Sequence, residues 1–171
     1  MSDLIVIAYD DQYKAEEMRV KLLKMQREYL VDVEDAVVAI KKPDGKIKLS
    51  QSIHLAEMGA MQGGFFGLLI GILFFSPLLG WAAGAATGAI TGALSDIGID
   101  DNFMKELSKS LQPGTSALFV LVRKVTPDKV LEEVKGSGGT VIKTSLTHEE
   151  EQKLQAALNA VKAESTQAVK V

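Results

Sequence analysis

The chain has no cysteine, and only two of its 171 residues are histidines, His54 and His148. Without cysteine there can be no disulfide, no thiolate nucleophile and no cysteine metal site. Two histidines leave little for a histidine-based metal site or a Ser-His-Asp triad. We therefore expect no catalytic residues, no metal site and no cofactor, and we predict that the protein is not an enzyme.

Excess positive charge is also missing, since the formal net charge is −3 and the sequence pI is about 5.5. A non-specific nucleic-acid binder normally carries a basic face, so nucleic acid is not an expected partner. The N-terminus has Asp3 where a signal peptide needs Lys or Arg, and its apolar run is too short for a signal sequence. We predict no signal peptide and a cytoplasmic α+β domain.

The third absence is local, because residues 58–95 contain no charged side chain. The flanking residues 1–57 hold eleven acids and nine Lys or Arg, and residues 96–171 hold eleven and ten. Such a break in composition marks an insertion within an ordinary soluble sequence. We predict one α+β domain built from residues 1–57 and 96–163, a hydrophobic insertion at 58–95, and a flexible tail at 164–171.

Outside the insertion, apolar runs and turn residues predict alternating strands and helices. Strands are expected at residues 4–9, 33–40, 46–51, 117–122 and 140–144, and helices at 12–28, 100–111, 126–136 and 147–162. The first six elements match the order of a ferredoxin-like βαββαβ sandwich, followed by an extra αβα. That fold places its third strand centrally, whereas the alternating lysines of residues 46–51 indicate an edge strand.

Several local features have an ordinary structural interpretation. Asp10 and Asp11 offer cap oxygens for the first helix, which explains them better than catalysis does. The apolar stripe of that helix is expected to comprise Ala15, Met18, Leu22, Met25 and Tyr29. Residues 136–139, Gly-Ser-Gly-Gly, lack the Lys-Ser/Thr of a phosphate loop and precede a strand, so they are interpreted as a helix stop.

Within the insertion, glycine recurs at every fourth residue in two series separated by Pro77. The series are Gly59, Gly63, Gly67, Gly71 and Gly80, Gly84, Gly88, Gly92. On helices, this spacing leaves one face without side chains, where a second helix can pack closely. We predict a helical hairpin, with arms at 59–75 and 78–94 of roughly 25 Å each, through which copies of the protein oligomerise.

The tip of the predicted hairpin is as apolar as its arms. Phe74, Phe75, Pro77 and Trp81 lie there, and we expect them to anchor the tip in the far membrane interface or against neighbouring subunits. A re-entrant hairpin is the third option. A hairpin also returns both flanks to one side, so that the two halves of the α+β domain can fold together. Lys41, Lys42, Lys46 and Lys48 are either a solvated edge or a contact for anionic head groups.

The favoured hypothesis is a non-enzymatic, membrane-associated homo-oligomer with a lipid bilayer as its partner. A soluble oligomer could instead bury the hairpins in a shared apolar core. Hairpins lining a pore are a further alternative, although Ser76, Thr87 and Thr91 offer few polar groups for an ion path. A ferredoxin-like module that binds a small ligand is the last alternative.

Five stretches of the chain recur together in one known family. They are Ser-Asp-Leu-Ile-Val at 2–6, Lys-Met-Gln-Arg-Glu-Tyr-Leu-Val-Asp at 24–32, Glu-Asp-Ala-Val-Val-Ala at 34–39, Leu-Ser-Asp-Ile-Gly-Ile-Asp-Asp at 94–101 and Leu-Gln-Pro-Gly-Thr-Ser-Ala-Leu-Phe at 111–119. Over residues 2–160 the chain resembles the bacterial domain-of-unknown-function 1269 proteins, which are predicted to be membrane-associated. The resemblance implies that the insertion is a family feature, and it implies no activity, substrate or catalytic residue.

Overall fold

The computed structural model of the protein describes residues 3–51 and 101–160. The strands are β1 (Asp3–Tyr9), β2 (Val31–Lys41), β3 (Ile47–Gln51), β4 (Thr115–Val125) and β5 (Thr140–Thr144). The helices in these residues are α1 (Lys14–Arg27), α2 (Asp101–Ser110), α3 (Pro127–Val134) and α4 (His148–Asn159). The predicted α+β class is confirmed.

The five strands form one antiparallel sheet in the order β3-β2-β4-β1-β5. The central strand, β4, follows the uncharged segment in the chain, yet its neighbours β2 and β1 both precede that segment. A central strand directs its backbone N–H and C=O groups to both sides, and each of these groups needs a partner. The sheet is therefore complete only when the chain on the two sides of residues 52–100 comes together.

The position of β3 corrects one part of the predicted topology. β3 pairs with β2 alone and lies at the edge of the sheet, as its alternating lysines indicate. The sandwich assignment, in which residues 46–51 supply a central third strand, is therefore wrong on this point. β4 takes that place because its continuous apolar run suits a strand buried on both faces.

One face of the sheet is covered by α1, α3 and α4. From α1 it receives four buried side chains of the predicted stripe, spaced three and four residues apart. These pack with alternate residues of the strands, such as Val38, Val120 and Val122. The buried members from the helices are Ala15, Met18, Leu22, Met25, Val134, Leu154 and Leu158.

On the second face, Val6, Val37 and Phe119 are fully buried. Leu107 of α2 and Leu111 just beyond it belong to the same cluster, and α2 packs against β1 and β5. Both faces of the sheet are thus apolar, in keeping with the unbroken hydrophobic runs of β1 and β4.

Tyr29 does not join the buried stripe, contrary to the prediction. Its backbone has a left-handed φ of +59°, and its side chain is 92% exposed. The Leu30 N–H donates to the Met25 carbonyl at 3.0 Å and the Tyr29 N–H to the Gln26 carbonyl at 3.1 Å. These bonds form a Schellman motif, whose left-handed position is usually glycine. The reversal of the chain there turns Tyr29 away from the core.

Side-chain capping is complete at α4 and only partial at α1 and α3. The Glu150 N–H donates to Thr147 Oγ1 at 3.4 Å, and the Thr147 N–H donates to Glu150 Oε2 at 3.0 Å, which is a capping box. Asp11 Oδ1 accepts the N–H of Lys14 at 3.0 Å, whereas Asp10 is exposed. Thr126 precedes α3, with Pro127 as the first residue of the helix, but the Thr126 side chain makes no capping bond.

The glycine loop at 136–139 connects α3 to β5 and closes the end of α4. The Gly136 N–H donates to the Ala157 carbonyl and the Gly138 N–H to the Leu158 carbonyl, both at 2.9 Å. These bonds satisfy carbonyl groups that the end of a helix leaves without partners. The helix-stop interpretation is correct, and the loop has a second structural role at α4.

Two neighbouring glycines of this loop give a matched test of its packing. An added Cβ at Gly139 would lie 2.6 Å from Tyr9 Cε1 and 2.7 Å from Ile7 Cγ2, whereas one at Gly138 would meet nothing within 4 Å. Both have positive φ. We expect Gly138→Ala to lower the free energy of unfolding by about 1–2 kcal/mol, and Gly139→Ala by about 1–3 kcal/mol more.

Chemical denaturation of the two variants would measure this difference. Equal losses would contradict the prediction, because they would mean that Tyr9 and Ile7 move aside without cost.

Candidate functional site

The predicted packing and anchoring residues lie outside the described residues. They are the two glycine series, from Gly59 to Gly71 and from Gly80 to Gly92, together with Phe74, Phe75, Pro77 and Trp81. Their proposed roles therefore stay predictions. In residues 3–51 and 101–160, no helix has both the length and the apolar character needed to cross a membrane. The same residues contain no group of three or more His, Asp or Glu side chains arranged to hold a metal ion.

The lysine hairpin, defined by Lys41, Lys42, Lys46 and Lys48, is the one predicted contact site that the described residues include. Its turn is tight, since the Gly45 N–H donates to the Lys42 carbonyl and the Lys42 N–H to the Lys46 carbonyl, both at 2.8 Å. Gly45 has φ +84°, which a residue with a Cβ rarely adopts. Glycine is thus the residue best suited to this position of the turn.

The four lysines meet at the hairpin but do not share one face of the sheet. Lys48 lies opposite Ile40, which packs on the face covered by α1. Lys41 lies opposite Ile47, which belongs to the second face. Directly opposed residues in a sheet point to the same side. Lys46 also forms a long ion pair with Asp44, at 3.9 Å, so the hairpin is basic around its rim and not along one flat surface.

At the opposite end of the sheet lies a group of exposed residues that the sequence alone does not indicate. We call it the Tyr29 end, defined by Arg27, Tyr29, Lys124 and Val125. Val125 is 38% exposed and pairs with Val31, the first residue of β2. The Thr126 N–H donates to the Leu30 carbonyl at 2.8 Å, which joins the end of β4 to the chain beside Tyr29.

A concave depression of about 430 Å³ lies beside this patch. It is lined by Leu23, Gln26, Arg27 and Tyr29. Arg27 is exposed in the last turn of α1, and no carboxylate in the described residues forms an ion pair with it. The depression is shallow and open to solvent, and it places a guanidinium, an amide, an aromatic ring and an aliphatic side chain beside one another.

Two buried polar groups were not identified from the sequence. Asp35 is only 4% exposed in β2, and its Oδ1 accepts the Ala36 N–H at 2.8 Å. Tyr9 is buried at the end of β1, and its hydroxyl has no hydrogen-bond partner among the residues that the structure describes. Burial raises the pKa of the Tyr9 hydroxyl above its ordinary value, and the Glu17 carboxylate raises it further. Both groups stand within apolar runs, where the sequence indicates only a strand.

The other polar candidates have structural roles. Asp11 caps α1, and the glycine loop uses the N–H groups of Gly136 and Gly138 on carbonyls of α4, so these two are not presented to a phosphate. A binding loop of the P-loop type would need such N–H groups directed at the ligand. The described residues thus present two surfaces of distinct chemistry, one at each end of the sheet. The lysine hairpin is basic, and the Tyr29 end is aromatic.

The strained backbone of Tyr29 provides a test that separates local conformation from any role of its ring. A non-glycine residue in the left-handed region lowers the free energy of unfolding by roughly 1–2 kcal/mol. Glycine avoids this loss, but the greater freedom of its unfolded chain offsets part of the gain. We expect Tyr29→Gly to raise the free energy of unfolding by about 0.5–1 kcal/mol, measured by denaturant titration.

Tyr13 supplies the control. It is also an exposed tyrosine, at the N-terminal end of α1, but its φ is −105°. Tyr13→Gly should give no such gain. A loss of stability in Tyr29→Gly would show that the exposed ring makes contacts that outweigh the strain.

Comparison with known proteins adds one relationship. The family model described as "Protein of unknown function (DUF1269)" matches residues 60–159. This range takes in most of the uncharged segment and runs through to the last residue of α4. No curated protein and no solved structure matches the chain.

Proposed function

The chain belongs to the DUF1269 family of proteins of unknown function, and on that premise we propose that it is a non-enzymatic, membrane-associated protein that assembles with copies of itself. The uncharged residues 58–95 would insert into the bilayer and pack through their glycine series. The α+β domain would remain in the cytoplasm.

The observation that carries this proposal is the placement of β4 between β2 and β1. Gln51 ends a strand of the sheet and Asp101 begins a helix packed on it, so both flanks of the uncharged segment belong to one folded unit. A single membrane crossing would put β4 on the other side of the bilayer from its two partners. An apolar excursion that enters and returns on the same side is compatible with the sheet.

The glycine spacing supports assembly in preference to simple anchoring. Glycine costs roughly 1 kcal/mol relative to alanine in a helix, so eight of them at intervals of four need a compensating contact. Close packing between helices supplies this contact in lipid. Apolar side chains gain little there by moving from lipid to a protein interface, because both are equally apolar.

For the fold we propose a ferredoxin-like sandwich whose six elements are β1, α1, β2, β4, α3 and β5. The order β5-β1-β4-β2 within the sheet supports this assignment, because each of the two crossover helices then links strands separated by one other strand. In this view β3, the uncharged segment and α2 form one long insertion between the second and third strands of the sandwich.

The test compares assembly mass in detergent for paired leucine substitutions. We expect Gly67→Leu and Gly84→Leu to break the assembly into smaller species, because each adds a bulky side chain to the predicted packing face. Ala86→Leu is the matched control for Gly84→Leu, since on the predicted helix it lies on the side opposite the glycine series and should leave the mass unchanged. Light scattering coupled to size exclusion measures the mass.

Two outcomes would contradict the proposal. Unchanged mass in both Gly67→Leu and Gly84→Leu would exclude packing through the glycine series. A large, monodisperse particle that stays in solution without detergent and does not partition with membranes would favour the soluble oligomer with a shared apolar core.

A further inference from the structure

We propose that the side chain of Gln155 closes the β5 edge of the sheet and so prevents the α+β domains of neighbouring copies from joining edge to edge. The inference stands on contacts within the described residues and does not depend on membrane association. It goes beyond the proposed assembly, because it names a surface that is kept out of the contacts between copies.

The β5 edge is suited to pairing with another strand. β5 lies at one end of the sheet and pairs with β1 alone. An edge strand presents backbone N–H and C=O groups to which a strand of a second molecule can add. β-branched residues favour such pairing, and four of the five residues of β5 are β-branched, namely Thr140, Val141, Ile142 and Thr144. Left open, this edge would be a template for association between copies.

Gln155 reaches this edge from the middle of α4. Its Oε1 accepts the Val141 N–H at 2.8 Å, and its Nε2 donates to the Gly139 carbonyl at 3.0 Å. One bond accepted and one donated, to residues two apart in the chain, are what the backbone of a sixth strand would make at this edge. The side-chain amide thus occupies the place of a neighbouring strand at the start of β5.

A third bond fixes the orientation of this amide. Nε2 also donates to Asn159 Oδ1 at 3.0 Å, one turn further along α4. Both hydrogens of Nε2 and one lone pair of Oε1 are then in use. Reversing the amide would set its NH2 group against the Val141 N–H, so only this orientation satisfies all three bonds. Gln155 is half-buried and held against the edge.

The opposite edge is protected by a different means. Lys48 is exposed within β3, and Lys46 stands just before that strand. Charged side chains on an edge strand disfavour the addition of another strand. One edge of the five-stranded sheet is therefore blocked by an amide and the other by lysines. Association through the predicted glycine series uses neither edge.

Gln155→Met tests the inference, because methionine keeps the length of the side chain but makes neither the bond to Val141 nor the bond to Gly139. Gln152→Met is the matched control, since Gln152 is exposed on the same helix and contacts His148 instead. Both would be made in the full chain, with and without Gly84→Leu, which removes part of the proposed glycine packing. Hydrogen exchange of the Val141 amide and the assembly mass would be measured in one detergent over a range of protein concentrations.

At low concentration we expect the Val141 amide to exchange several-fold faster in Gln155→Met than in the parent protein, because its partner is lost. As the concentration rises, the mass should increase above that of the parent in both backgrounds, and protection of the Val141 amide should return. A merely structural role of Gln155 would raise exchange without the gain in mass.

Mass equal to that of the parent across the whole range would overturn the inference, since the edge would then be closed without the amide. An equal gain in Gln152→Met would overturn it as well. Parent protein that is a monomer in detergent would contradict the proposed assembly and leave this comparison intact. If Gln155→Met fails to fold, Gln155→Asn, whose amide is one methylene too short to reach β5, gives the same comparison.

Discussion

The pairing of β4 with β2 on one side and β1 on the other is the constraint on which the rest of the molecule depends. β1 and β2 come before the uncharged segment and β4 comes after it, yet their ladders run the length of the sheet. Phe119 of β4 and Val37 of β2 are opposed and fully buried. Neither half of the chain can bury its apolar strands alone. The segment between the two halves must therefore bring the chain back to the same sheet.

This arrangement would link folding to the proposed assembly. Contacts between residues far apart in sequence form slowly, because the loop between them must close first. Here that loop contains 38 uncharged residues that are poorly soluble by themselves. If the predicted hairpin enters an apolar environment before the sheet forms, it would bring its two flanks together. β4 could then pair between β2 and β1. The insertion and the sheet would then support each other.

Local features of the fold could be predicted because they depend on neighbours in sequence. The capping box at Thr147 and Glu150, Pro127 at the start of α3 and the glycine of the hairpin turn all follow from short-range chemistry. Strand order could not be predicted in the same way, since an apolar run shows that a strand is buried and not which strand lies beside it. Only the lysines of β3 carried topological information, by indicating an edge.

The surfaces were harder to predict than the fold. Spacing places Tyr29 on the buried stripe, four residues after Met25, and nothing in the sequence signals the left-handed turn that exposes it. Asp35 illustrates the same limit, because a carboxylate among valines gives no sign of being buried on a two-sided sheet. Both cases depend on which elements meet in space. The glycine series, in contrast, can be read from the sequence alone, because its spacing of four residues is a property of the sequence itself.

The most direct measurement of the central claim is the sidedness of the two flanks. Single cysteines at Lys42 and Lys129, before and after the uncharged segment, can be probed with a membrane-impermeant maleimide in right-side-out and inside-out vesicles from producing cells. An apolar hairpin that enters and returns predicts that both positions react to the same extent, and only in inside-out vesicles. Reaction of one position from outside and the other from inside would place the flanks on opposite sides and contradict it.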